Sequence, residues 1–216
     1  MHELCTYRVR AGRSVDELIR FFHADGERDY HAALRRADIA LVGAWRDAAR
    51  PDALVWLRAS GDATPKAAAW LEKLAAVADM VAAIEALELA PRDVSQLAAG
   101  PRDRGCHELR HYRLAPGTTG KMLAFFEDVR RLMPEHGVRV LGWWTATHAG
   151  SERFLWLREF RDAAHQRQVT HDLYQSDRWL RDFKPRTIGV IEERILRDLV
   201  PVPAAALGGL DPMPGA

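Results

Sequence analysis

Between Lys121 and Met133 the apolar residues Met122, Phe125, Phe126, Val129, Leu132 and Met133 recur every three or four positions, the spacing of one buried helix face. Ahead of that stretch, "HELRHYRL" (107–114) is short, rich in bulky residues and stopped by Pro116-Gly117, which predicts a strand ending in a turn. Behind it come two strand-like runs, around Trp143-Trp144 and "FLWLREF" (154–160), separated by "THAGSE", whose Gly150 and Ser151 suit a hairpin turn. A second helical stretch is expected over about 162–183, ending before Lys184-Pro185 because a residue preceding proline is pushed out of helical conformation. "TIGVIEERIL" (187–196) reads as a closing strand. The order β-α-β-β-α-β is that of the split ferredoxin-like unit.

The same pattern occurs earlier in the chain. "HELCTYRVRAG" (2–12) aligns with "HELRHYRLAPG" (107–117), "LVGAWRDAARPDALVWLR" (41–58) with "VLGWWTATHAGSERFLWLR" (140–158), and "AAIEALEL" (82–89) with "GVIEERIL" (189–196). The first copy opens its first helix with Ser14 and Glu17, the S-x-x-E capping box. It differs in an expanded segment at 23–40 and a shorter, alanine-rich second helix at 64–80. The expected organisation is a first unit over 1–90, a Pro/Gly/charge-rich linker at 91–105, a second unit over 106–200 and a Pro/Ala/Gly-rich tail at 201–216. The expected fold class is α+β, two tandem ferredoxin-like βαββαβ units forming a fused, pseudo-dimeric α/β barrel.

"HELRH" at 107–111 also matches H-E-x-x-H, the zinc signature that needs a helix to bring both histidines to one ion. On the strand expected here, residues four apart lie roughly 13 Å from each other, so His107 and His111 cannot clamp one metal. The first copy carries Thr6 in place of the second histidine. No metal site is expected.

The 31 basic and 30 acidic residues are interspersed and leave a net charge of +1, so no nucleic-acid stripe or polybasic membrane patch stands out. No apolar run reaches the ~20 residues of a membrane span, and "MHELCTYRVR" reads as strand almost from its start, so no leader is expected. Two cysteines, Cys5 and Cys106, at non-equivalent places suit a reducing compartment, and a cytoplasmic location is expected. The heavy use of Ala, Arg and Asp is consistent with a bacterial gene. P-loop, dinucleotide, serine-elbow and paired-cysteine motifs are absent from the sequence.

"HELRHYRLAPG", then "GVRVLGWWTATHAGSERFLWLREF", then "SDRWLRDFKP" resembles the NIPSNAP family across about 106–198. The resemblance implies a dimeric α/β-barrel fold. It implies little about chemistry, since family members range from mitochondrial proteins linked to trafficking and mitophagy signalling to bacterial proteins without an assigned reaction. The wider barrel group includes cofactor-free monooxygenases, haem enzymes, isomerase-like enzymes and binding proteins, and fold alone does not choose among them.

Strand parity places His107, Leu109, His111 and Arg113 on one face of the first strand and Glu108, Arg110, Tyr112 and Leu114 on the other. The face carrying His111 is expected to meet the helices and a pocket. His111, His165 and His171 are the candidate acid–base residues, and Tyr112, Trp143, Trp144, Trp156 and Arg158 the candidate ligand contacts. His111, Trp143, His148, His165 and His171 have no match in the first copy, which favours them as functional residues; His148 itself falls in a turn. Trp56 and Trp156 are matched and read as core, and the matched Arg58 and Arg158 read as ion-pair partners of Glu3 and Glu108. The expected function is binding of a small, partly apolar molecule by a cofactor-independent enzyme using histidine acid–base chemistry. The alternatives are a non-catalytic binding or scaffold protein, and a haem protein ligated by His165 or His171. No nucleic-acid or membrane partner is expected; the two units form an intramolecular pseudo-dimer, and a homodimer remains open.

Overall fold

The computed structural model describes residues 1–22, 39–60, 75–98 and 105–203. The expansion expected at 23–40 and the start of the helix expected at 64–80 lie mostly outside them, as does the tail beyond Pro203. The described residues fall into two compact units: one within Met1–Ala90, Leu97–Asp103 and Leu199 onward, the other within Pro91–Gln96 and Arg104–Asp198. The fold is α+β, two tandem ferredoxin-like units of the dimeric α/β-barrel class.

The first unit contains strand β1 (His2–Val9), helix α1 (Val15–Arg20), strands β2 (Ile39–Asp47) and β3 (Arg50–Ser60), helix α2 (Ala75–Met80) and strand β4 (Val81–Asp93). β1 lies between β3 and β4, with Glu3 opposite Arg58 and Cys5 opposite Trp56. The capping box closes as expected: Ser14 Oγ accepts from Glu17 N–H at 3.2 Å, and a Glu17 carboxylate oxygen accepts from Ser14 N–H at 3.1 Å. Helix α1 then buries Val15, Leu18 and Ile19 in one core with Cys5, Tyr7, Leu54 and Trp56, which identifies the helix-facing side of this sheet.

Strand β4 continues through Pro91 to Asp93 and is followed by a single helical turn, α3 (Ser95–Ala98), where a linker was expected from residue 91. Residues 91–96 belong to the second compact unit, and within it the Arg92 guanidinium donates to Thr145 Oγ1 at 3.1 Å.

The second unit contains strand β5 (Cys106–Leu114), helix α4 (Thr119–Leu132), strands β6 (Arg139–His148) and β7 (Ser151–Phe160), helix α5 (Ala163–Gln175) and strand β8 (Ile191–Pro201). β7 lies between β5 and β6, with Glu108 opposite Arg158, Arg110 opposite Trp156 and Trp143 opposite Trp156. The β6–β7 turn is Ala149-Gly150, one residue earlier than expected, with φ of 48° and 75°; two successive left-handed residues give the tight hairpin whose twist matches the strands. The hairpin also supports the neighbouring helix. Glu152 accepts from Gly117 N–H at 2.9 Å and Thr119 N–H at 3.1 Å, filling the capping role that Thr118, turned toward Ala115, leaves open.

The helix expected over 162–183 is broken. α5 stops at Gln175, Ser176 adopts extended backbone, and the Ser176 hydroxyl accepts from Trp179 N–H at 3.1 Å, restarting the chain as a π-helical turn (Trp179–Phe183) and a 3-10 turn (Lys184–Thr187). Pro185 therefore opens a turn rather than ending a helix, and β8 begins only at Ile191, after Gly189 at φ 70°.

Phe126 is the centre of the second core, with ring centroids 5.2 Å from Trp143, 4.9 Å from Phe154 and 5.1 Å from Trp156. All of the apolar positions that predicted α4 are buried. Tyr112 and Leu114 belong to this core, so the helices cover the Glu108–Arg110–Tyr112–Leu114 side of β5. That reverses the expected face. The reason lies in β7, whose Phe154, Trp156 and Phe160 carry the larger aromatic surface, and β5 must present its matching parity to them.

Candidate functional site

The pairing of β5 with β7 places three charged groups beneath α4 and α5. Arg158 has no solvent exposure; its Nη2 lies 2.9 Å from Glu108 Oε1, its Nε donates to the same oxygen at 3.1 Å, and its Nη1 donates to Tyr174 OH at 3.3 Å. Arg110 donates from Nε to Glu108 and from Nη1 to Tyr112 OH at 3.3 Å, with its guanidinium carbon 4.9 Å above the Tyr174 ring. Gln166 Nε2 completes the carboxylate's shell at 3.2 Å. Burial alone raises a carboxyl's pKa, but Arg110 and Arg158 hold Glu108 below the usual range, so it is ionised at neutral pH. Burial also works against the charge of Arg110, yet Tyr112, Tyr174 and Glu108 hold its pKa above the ordinary value. Two guanidinium groups share one carboxylate.

Above this cluster lies a cavity of about 400 Å³. Phe125, Phe126, Trp156 and Trp179 form its aromatic walls, Arg110, Tyr112 and Tyr174 supply polar groups, and Lys184 and Arg194 are exposed at the rim. Its described lining contains no carboxylate and no histidine. The break at Ser176 matters here, because it brings Trp179 edge-on to Tyr174 at 4.6 Å and parallel to Phe183 at 5.2 Å. A second recess of about 460 Å³, bordered by Asp93, Arg130, Arg139 and Trp143, is mixed in charge and lacks converging aromatic walls. The first has the character of a ligand pocket: apolar walls with few placed polar groups.

Of the expected ligand contacts, Tyr112 and Trp156 line this cavity, and the Trp156 indole N–H donates to Tyr112 OH at 3.4 Å. Arg158 sits behind it, sealed by Trp156, Phe160 and Tyr174. Trp143 packs on Phe126 in the same core but borders the other recess. Trp144 is on the opposite face with His111, both paired with Leu155 across the strands. Burial, with Arg153 and Arg197 nearby, pushes the His111 imidazole down to about 4, so it is neutral and remote from the cavity. His165 is a structural clamp: its Nε2 bonds the His136 carbonyl at 3.0 Å and its Nδ1 accepts from Arg161 N–H at 3.3 Å. His171 is exposed and lies 3.5 Å from Asp172. His148 ends β6, exposed.

His165 thus has both ring nitrogens engaged, and neither His165 nor His171 lines the cavity. The zinc signature is on a strand, and no cluster of three metal-binding side chains occurs among the described residues. The expected ion pairs are present: Arg158 with Glu108, and Arg58 Nη1 3.8 Å from Glu3.

Sequence reasoning passed over Arg110 and Tyr174. Arg110 was detectable, because its counterpart in the first copy is Cys5, so it met the criterion of an unmatched residue; the choice of sheet face hid it. Tyr174 had no such signal, since its approach depends on where α5 docks.

No curated protein matches the chain. Among solved structures, an anthrone oxidase-like protein aligns with a TM-score of 0.60 at 8% identity, covering 94% of this chain and 91% of that one. A Lactobacillus acidophilus protein provisionally described as a monooxygenase aligns at 0.57 and 12% identity, covering 93% and 92%. A heme-binding protein from Thermus thermophilus aligns at 0.54 and 12% identity, covering 96% and 93%. At such identities the likeness shows the fold alone. No helix among the described residues is long and apolar enough to cross a membrane. The NIPSNAP family model matches residues 107–205, the stretch that builds the cavity, and over that stretch the chain is similar to the NIPSNAP family.

Proposed function

We propose that the second unit binds a small, partly aromatic molecule in the cavity beneath α4 and α5, and that Tyr112 is the group able to give it a proton. The observation that carries this reading is the convergence of aromatic walls with the Arg110, Tyr112 and Tyr174 polar groups around about 400 Å³. Tyr112 OH accepts from Arg110 at 3.3 Å and from Trp156 at 3.4 Å, which occupies its two lone pairs and leaves its own proton to donate. Tyrosine thus takes the acid–base role that the sequence assigned to His111, His165 and His171. The likeness to an anthrone oxidase-like protein and to a heme-binding protein supports a small-molecule-binding fold and no particular reaction.

Saturation-transfer NMR with a panel of phenyl-bearing fragments tests the reading. Fragments should receive transfer from wild-type protein, and Thr170→Trp, which adds bulk at an exposed lining position, should abolish it. Transfer that persists unchanged in Thr170→Trp would place binding elsewhere and refute the proposal.

A further inference from the structure

Comparison of the two units isolates one charge. In the first, Arg58 faces Glu3, and its guanidinium also reaches Tyr7 OH and lies 5.3 Å from the Trp56 ring. In the second, Arg158 faces Glu108, with Tyr112 and Trp156 at the matching positions. The strand positions between glutamate and tyrosine differ: Cys5 in one, Arg110 in the other. Among the described residues, the first cluster pairs one guanidinium with one carboxylate, and the second has one guanidinium more.

We infer that Arg110 makes the helix-side cavity of the second unit a receptor for the carboxylate of a small aromatic acid. This rests on the proposed function and adds the class of ligand. Arg110 spends Nε on Glu108 and Nη1 on Tyr112, and its Nη2 has no partner among the described residues. Glu108 is already satisfied by Arg158 and Gln166, so it does not need the whole of Arg110's charge. Asp198, joined to Gln166 at 2.5 Å, is exposed and therefore screened by water. Lys184 and Arg194 at the rim add charge of the same sign, with no lining carboxylate to offset them. The Arg110 guanidinium, its carbon 4.9 Å from the Tyr174 ring centroid, carries a planar donor edge, which matches a carboxylate better than a neutral group. The aromatic walls then take the ring of the acid.

Calorimetry with benzoate and phenylacetate against their primary amides separates the two claims. Wild-type protein should bind each acid at least tenfold more tightly than its amide. Arg110→Met should erase that preference while keeping amide binding, and Arg110→Lys, which retains a cation, should restore part of it. Equal affinity for acid and amide in wild type, or a preference that survives Arg110→Met, would overturn the inference while leaving the cavity as a neutral-ligand site. Absence of binding by any of the four probes would overturn the proposed function and this inference with it. Thermal melting of each variant establishes that it is folded, and Arg110→Cys, which installs the first unit's residue, is the second variant if Arg110→Met does not fold.

Discussion

Arg158 Nη2 lies 2.9 Å from Glu108 Oε1, directly across β5 and β7, and neither side chain is more than 5% exposed. A buried pair of this kind contributes little over an apolar substitute, but removing one partner strands the other. Here the loss of Glu108 would strand two guanidinium groups. Glu108→Ala is predicted to destabilise the protein by about 3–5 kcal/mol, more than Arg158→Met, which leaves Glu108 with Arg110. Urea unfolding of both variants checks the order.

Tyr112→Phe removes a hydroxyl that accepts from Arg110 and Trp156. The expected loss of stability is about 1–2 kcal/mol, since two donors lose a partner inside the protein. Ligand binding should weaken only modestly, whereas any proton-transfer activity should fall by about a hundredfold or more. A parallel loss in the Tyr7→Phe variant would show that the effect is structural and not local to the cavity.

His107 is fully buried and its imidazole is pushed down to about 4, first by burial and then by Arg139. Because the folded-state value lies below the unfolded 6.5, the unfolded chain takes up the proton first as pH falls. Stability should therefore decrease as pH drops from 6.5 toward 4, by up to about 3 kcal/mol from this residue. His111, also pushed down to about 4, acts in the same direction. Denaturation midpoints at about pH 7, 5.5 and 4.5 should show this slope, and His107→Gln should reduce it, leaving the part that His111 contributes.

Phe126 contacts Trp143, Phe154 and Trp156 at once. Phe126→Ala is predicted to cost about 3–5 kcal/mol through the void it leaves, and the enlarged cavity should accept bulkier aromatic fragments. His171→Ala, at an exposed position paired with Asp172, should stay within about 0.5 kcal/mol of wild type. The two variants together separate the core under the cavity from the helix surface above it.

The strand and helix order was legible because the evidence was local. Met122 through Met133 carry a helical period, and "HELRHYRL" is bounded by Pro116-Gly117. The ion pairs Arg58–Glu3 and Arg158–Glu108 were legible because the repeat supplied the same pairing twice. The face of β5 that meets the helices was not, since both faces carry apolar residues, with Leu109 and Tyr112 each buried. Period-2 alternation decides a face only when one side is polar. That single ambiguity placed His111 in the site and left out Arg110. The break in the second helix was hidden for a different reason: Ser176 ends α5 through a hydroxyl bond to Trp179, an interaction with no periodic trace.

The most direct measurement is a crystal structure of the protein grown with 4-bromobenzoate, read at the bromine absorption edge. The account predicts an anomalous peak in the cavity between Phe125, Trp156 and Trp179, with the carboxylate turned to Arg110. A peak on the opposite sheet face beside His111 and Trp144, with the cavity empty of ligand density, would contradict it.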